Sequence, residues 1–476
     1  MTNTADQLVK RCQDIFDGAG DAVTWINDAR QGSKRLDREA EHMIEILRKH
    51  RNTARRLGAA AQRPLSVGFF GVSQAGKSYL ISSLAVDDSG ELETNLGADR
   101  LNFIKHINPP GGGKEATGLV TRFTRRPSLA PPSHPVDVKL LSEGDVIKIL
   151  GNSFYCDFDP EQVEKDITPE TIRSHLADLE RKRQPKPTGG LDEDAMVDIM
   201  DYFRRRFTKS MAPFQGDFWP TAVDLAPRLL AADRAQLMSL LWGKIVPLTQ
   251  AYLHLSEALA KIGNATGAYC ALDVLVMKTA DGYSQEHGIV NVDILSRMGR
   301  ADDDQVEVLP VCGGQVMGAQ SISRATLAAL VAEMNFVLAE KPRAELLENV
   351  DLLDFPGYRG RLRVASFDEV AKAADKSGHT DPVAALILRG KVAYLFERYI
   401  EDQEMNILVL CTPSDMQSEI ETVAQAVDDW VKSTQGATPD ERAARLPGLI
   451  WAFTRLDIKM LKKPSDSPEM RSKEWD

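Results

Sequence analysis

An α/β chain, with a central parallel or mixed sheet covered by helices, is the fold class this sequence predicts. Two observations lead there. Short apolar runs rich in β-branched and aromatic residues alternate with helical runs from Pro64 and again from 350 onward, the pattern of strand–helix units in a parallel sheet. Between them lies a long interval whose apolar residues recur mostly at helical spacing. It is too long to be a structureless loop in a compact domain.

Taken in order, residues 1–63 read as a helical segment. LVKRCQDIFDGAGDAVTWI and RLDREAEHMIEILRKHRNTARRL carry apolar residues at helical spacing, with Gly18, Gly20 and a Gln-Gly-Ser break between them. Residues 64–125 open with the strand LSVGFFG, a glycine-containing loop and the helix SYLISSLA. Residues 126–344 begin with the Pro-rich RRPSLAPPSHP and are expected to form a mainly helical insertion. Its strand-like pieces at 271–277 and 305–311 are candidates to extend the sheet, and 321–340 reads as a helix. Residues 345–476 return to strand–helix alternation. VDLLDF, a helix near 382–401, MNILVLC, a helix over 415–432 and LIWAF follow one another.

The bulk properties exclude several classes. The 476 residues are more than one ordinary core needs. No apolar run approaches the ~20 residues of a membrane helix, and the polar N-terminus lacks the apolar stretch of a secretory signal. Five scattered cysteines without a CxxC pair predict reduced thiols and a cytoplasmic protein. A net charge of −11 argues against nucleic acid as the main partner. The eight histidines show no metal-ligand spacing, and Asp302, Asp303 and Asp304 read as a solvated turn.

The chemistry concentrates in GVSQAGKSY. Gly71, Gly76, Lys77 and Ser78 satisfy G-x-x-x-x-G-K-[ST], with Ser73, Gln74 and Ala75 completing the loop and Tyr79 following it. Glycines let the backbone wrap a phosphate, Lys77 reaches the β- and γ-phosphates, and the Ser78 hydroxyl suits Mg²⁺. The helix that follows turns its positive end to the same anion. Between a strand and a helix, this predicts a P-loop NTPase. A second acidic element is expected at another strand end, and Asp354-Phe355-Pro356-Gly357 fits D-x-x-G. There Asp354 serves Mg²⁺ and the Gly357 amide senses the γ-phosphate. At a third strand end, Thr454-Arg455-Leu456-Asp457 is similar to the [NT]-K-x-D element of GTPases, with arginine for lysine. A carboxylate at Asp457 can accept two hydrogen bonds from guanine, which favours GTP over ATP. The expected cofactors are therefore GTP, or ATP, with Mg²⁺.

GGGKEATGLVTRFTRR, residues 111–126, resembles the first switch of dynamin-like GTPases. That resemblance implies Thr121 as the Mg²⁺-binding, catalytic threonine, flanked by Gly118, Leu119, Val120 and Arg122. Together with RPLSVGFFGVSQAGKSYLISSLA, LLDFPGYRGR and FTRLD, it resembles the bacterial putative virulence-factor family of SrfC type along the whole chain. The family implies a P-loop GTPase-like protein, and its members are longer, which implies that this sequence is a fragment. It also implies a homodimer through the nucleotide face and a protein partner from the same operon.

Departures from the pattern shift the catalytic expectation. Tyr358 stands where Ras-like proteins carry a catalytic glutamine, and Gln74 stands where dynamins carry serine. Gln74 is thus a candidate to orient water or cross a dimer interface, or to stabilise the loop. Arg122, Arg359 and Arg361 are candidates to neutralise transition-state charge, or are structural. RKHRNTARR, residues 48–56, is a candidate to attract phosphate headgroups of a membrane surface or nucleic acid, or is a solvated face balanced by the acidic residues just upstream. The expected function is GTP binding with slow Mg²⁺-dependent hydrolysis by Lys77, Gln74 and Thr121, driving switching or self-association. An ATPase and a non-hydrolysing, nucleotide-regulated scaffold remain as alternatives.

Overall fold

The computed structural model describes residues 3–73, 75–109, 117–159, 167–280, 282–358, 362–376, 381–414 and 420–456. Helices α1 (Asn3–Ala29) and α2 (Lys34–Ala61) are joined by one 3-10 turn, Arg30–Gly32. That turn is the Gln-Gly-Ser break; Gly18 and Gly20 do not interrupt α1. Ser33 caps α2 by accepting the Leu36 N–H at 3.3 Å. Cys12, Ala19, Val23 and Ile26 form the buried stripe of α1, at the spacing one helix face requires.

The chain continues through β1 (Leu65–Phe70), α3 (Lys77–Ala85), the hairpin β2 (Glu93–Leu96) and β3 (Asp99–Asn102), then β4 (Val120–Thr124) and β5 (Val136–Leu140). Six helices follow: α4 (Glu143–Asp157), α5 (Pro169–Glu180), α6 (Glu193–Arg206), α7 (Phe218–Leu225), α8 (Ala231–Ser239) and α9 (Val246–Lys261). Next come β6 (Gly267–Cys270), the small hairpin β7 (Met277–Thr279) and β8 (Gly282–Ser284), β9 (Gln305–Cys312), β10 (Gln315–Val316) and β11 (Gln320–Ser323). After α10 (Arg324–Leu330) lie β12 (Val331–Val337) and β13 (Val350–Asp354). The last elements are α11 (Phe367–Lys376), α12 (Pro382–Glu401), β14 (Ile407–Pro413), α13 (Ile420–Trp430), α14 (Pro439–Ala443) and β15 (Leu449–Thr454).

One mixed sheet organises these elements, in the order β10-β9-β6-β5-β12-β4-β13-β1-β14-β15, with β11 also on β9. Strands β13, β1, β14 and β15 run parallel to one another. Strand β4 is antiparallel to β13, and β12 is parallel to β4. The register aligns Thr121 with Asp354, and Asp354 with Phe69. Partners in register share a sheet face, so Thr121, Asp354 and Phe69 form one row. Phe70 points to the other face and stacks on Phe396 of α12, with ring centroids 3.7 Å apart.

The 126–344 interval is mainly helical over α4–α9, and its 305–311 piece joins the central sheet as β9, together with β5, β6 and β10–β12. Two expectations need correction. The 321–340 stretch is not one helix, because it turns from α10 to β12 at Val331. A strand between two others is buried on both faces and needs a near-continuous apolar run, which spacing alone does not separate from a buried helix. The 271–277 run contains a 3-10 turn at Leu272–Val274, and the strand lies just before it in β6.

Four basic residues of α2 turn toward α6, while Lys34, Arg35, Arg38 and Arg55 are exposed. Arg48 and Arg51 pair with Asp194 at 2.6 and 2.9 Å, Arg56 with Asp198 at 2.7 Å, and Lys49 with Asp201 at 3.0 Å. Those carboxylates belong to α6, so the balance comes chiefly from the 126–344 interval and less from the acidic residues upstream. All five cysteines are free. Among the described residues no helix is long and apolar enough to cross a membrane.

Candidate functional site

The C-terminal ends of the parallel strands collect most of the residues singled out in sequence. At the end of β1 the chain turns at Gly71, whose φ is 155°. A side chain there would run into the Cys411 carbonyl of β14, so only glycine fits. Gly76 adopts φ 78° and begins α3. Lys77, only 6% exposed, folds its ammonium back to donate to the Val72 and Gly71 carbonyls at 2.8 and 3.3 Å. Ala75 is fully buried and Ser73 half-buried in the same loop. Tyr79 is 78% exposed. Gln74 lies outside the described residues.

Two contacts tie this loop to its neighbours. Ser78 Oγ donates to Asp354 Oδ2 at 2.6 Å, joining the first turn of α3 to the end of β13. Thr454 Oγ1 donates to the Ala75 carbonyl at 2.6 Å, joining the end of β15 to the loop. The second contact gives Thr454, which its motif places at the base element, a role in supporting the loop. The chain after Asp354 also stays close. Gly357 is buried, and the Tyr358 N–H donates to the Gly71 carbonyl at 3.1 Å. Tyr358 further makes a parallel bridge with Val72.

Thr121 is buried on β4 beside Asp354 in register. Arg455 takes φ 57°, and its carbonyl accepts from Ser414 Oγ at 2.9 Å, which closes the turn after β15. Asp457, Arg359 and Arg361 lie outside the described residues. The fold therefore brings Gly71, Ala75, Gly76, Lys77, Ser78, Asp354, Gly357, Tyr358 and Thr454 together, with Thr121 and Arg455 on the adjoining strand ends. Cys411 escaped the sequence reading. Burial pushes its thiol up to about 12, against the pull of Lys77, so it is neutral beneath the loop.

Arg122 follows its structural alternative. It is buried and serves the sheet, with no free guanidinium to offer an anion. Its nitrogens reach both Glu333 oxygens, Asp351 and Glu404, each at 2.9 Å. Lys139 also pairs with Glu333, and Arg63 with Glu404. Against the upward push of burial, Arg122 and Lys139 hold the Glu333 carboxyl well below the usual range. Burial pulls Lys139 down to about 8.

Chemically, the loop offers one ammonium, a helix start and closely turned backbone, which suits an anion. The Ser78–Asp354 pair offers a hydroxyl and a carboxylate, which suits a hard cation with water in its shell. Among the described residues no group of three or more His, Cys, Asp or Glu side chains forms a protein-only metal cage.

These features define a mixed α/β protein whose parallel strands end in a loop–helix cluster of one lysine, one serine and one aspartate. The sequence model of a family described as putative bacterial virulence factor matches residues 22–476, and the chain belongs to that family. A search of curated proteins gave no match.

Proposed function

We propose that this chain is a dynamin-like P-loop GTPase that binds GTP with Mg²⁺ and hydrolyses it slowly, driving conformational switching or self-association. The observation that carries this is the Ser78–Asp354 hydrogen bond of 2.6 Å, with Lys77 alongside. In this class the serine and the strand-end aspartate share the magnesium shell, and the lysine binds the β- and γ-phosphates. Strand order supports it too. The loop strand β1 lies between the D-x-x-G strand β13 and β14, and the strand bearing Thr121 runs antiparallel beyond β13.

Each residue then has a task. Lys77 exchanges the Gly71 and Val72 carbonyls for phosphate oxygens, at little cost because both states keep it hydrogen-bonded. Ser78, Thr121 and Asp354 are the residues that would hold Mg²⁺, which supplies charge neutralisation between the phosphates. Thr454 keeps the loop in place through Ala75, while Arg455 and Asp457 address guanine. Gln74 remains the candidate to orient water, since Arg122 is committed to carboxylates. That commitment, with tyrosine at 358, favours one second reading: a scaffold that binds nucleotide and does not turn it over.

Titration with fluorescent GTP and ATP analogues tests the assignment. The expected result is tighter GTP binding that falls by about tenfold or more in Asp457→Ala. Equal affinity for both nucleotides, or no loss in the variant, removes the guanine assignment. A phosphate-release assay with Lys77→Ala as blank separates enzyme from scaffold. Light scattering with a non-hydrolysable GTP analogue tests dimerisation through the nucleotide face.

A further inference from the structure

We propose that the pocket between the end of α6 and the start of α7 is a second binding site, for a small monocarboxylate with an apolar body. Six residues line it: Arg204 of α6, then Thr208, Met211, Gln215 and Gly216 of the connecting turns, and Trp219 of α7. They surround about 380 Å³, within the range of small-ligand pockets and many times what one water needs. None of the six belongs to the strand-end cluster, so this site is independent of the nucleotide reading.

An orphaned donor calls for a ligand here. Trp219 is 1% exposed, and its indole Nε1 has no hydrogen-bond partner among the described residues. The other two fully buried tryptophans each have one. Trp242 donates to Thr249 Oγ1 at 3.0 Å, and Trp430 to the Met405 carbonyl at 3.2 Å. A buried N–H left unpaired costs about 1–3 kcal/mol, which native proteins rarely carry without a reason. The indole is held where it is, because it packs against Phe218 and Phe203 with ring centroids 4.9 and 6.1 Å apart.

The other lining residues choose the ligand's chemistry. Arg204 is half-exposed and gives one nitrogen to Glu45 Oε1 at 3.0 Å, which leaves further N–H groups of its fork for a second acceptor. The Gln215 amide adds donors, and no acidic side chain lines the pocket. The Thr208 hydroxyl is spent on the Arg204 carbonyl at 2.8 Å. Met211 and the indole supply apolar wall. A carboxylate end satisfies the indole N–H and the guanidinium together, and an apolar body covers the wall.

Tryptophan-selective NMR of the indole N–H groups in the whole chain tests this, with benzoate as probe and benzamide as its neutral counterpart. The expected result is a saturable shift of the Trp219 signal, identified with Trp219→Phe, and binding of benzamide weaker by about tenfold or more. Arg204→Met, at a half-exposed position, should weaken benzoate binding by about tenfold or more with the fold intact. A Trp219 signal unmoved by about 10 mM benzoate overturns the proposal and leaves the indole to water alone. Equal binding of benzamide overturns the carboxylate assignment. If Trp219→Phe does not fold, calorimetric titration of wild type and Arg204→Met with benzoate decides, and equal affinities or no binding would overturn the site.

Discussion

Two buried charged clusters lie on the sheet, and their contrast separates the proposed binding site from a structural clamp. Beside the first residues of β1 and β13, Arg63, Arg122 and Lys139 meet Glu333, Asp351 and Glu404, three cations closed by three carboxylates. The Tyr399 hydroxyl also donates to Glu333. At the opposite strand ends, Lys77 is nearly as buried as Arg122, at 6% against 5% exposure, but among the described residues it donates only to backbone carbonyls of its own loop. Backbone carbonyls satisfy the ammonium's hydrogen bonds without cancelling its charge. Beside a glycine loop and a helix start, a cation in that state suits a polyanion; one saturated by carboxylates holds the fold.

The largest expected effect breaks the clamp. Arg122→Met leaves three carboxylates facing two cations and should destabilise the protein by about 3–5 kcal/mol. Chemical denaturation measures it, and a change under about 1 kcal/mol would refute the closed-cluster account. Nucleotide affinity of the folded fraction should be unaltered.

The two clusters also differ in how far they could be read from sequence. Lys77 and Ser78 sit in one short pattern between a strand and a helix, and Asp354 ends an apolar run, so each announced itself locally. Arg122 sits in a motif that suggested chemistry, while its partners lie 211, 229 and 282 residues away. Only the fold brings them together. Strands β1, β13, β14 and β15 were legible because compact apolar runs ended at motif residues. Strand β12 was not, because VAEMNFV contains Glu333 and Asn335, which read as the polar side of a helix. Inside the sheet Glu333 is neutralised by Arg122 and Lys139, and the backbone follows its neighbours.

A smaller effect sharpens the site half of the contrast. Thr454→Val removes the hydroxyl that holds the Ala75 carbonyl and should weaken nucleotide binding by about 1 kcal/mol, roughly fivefold. Stability should change little, because that carbonyl lies in a loop. Unchanged affinity in a fluorescence titration would show that β15 does not support the loop.

A pH-dependent effect concerns a third buried lysine. Lys391 donates to the Ala328 carbonyl at 2.8 Å, and burial pulls it down to about 7 from 10.5. Between those pH values the unfolded chain keeps a proton that the folded chain has released. Folded stability therefore rises with pH across that window, by up to about 1.4 kcal/mol per pH unit for one proton. Lys391→Met lacks this slope, so thermal melts should show the wild type gaining on the variant from pH 7 to 10. Parallel melts would contradict it.

Isothermal calorimetry of GTP with Mg²⁺, on wild type and Lys77→Ala, meets the central claim head-on. A buried lysine held only by carbonyls should be the anion's anchor. Its loss should therefore weaken binding by about a hundredfold, near 2.7 kcal/mol, with folding intact. Equal binding by wild type and variant, or a wild type that takes up neither GTP nor ATP, would contradict the assignment of this cluster as a nucleotide site.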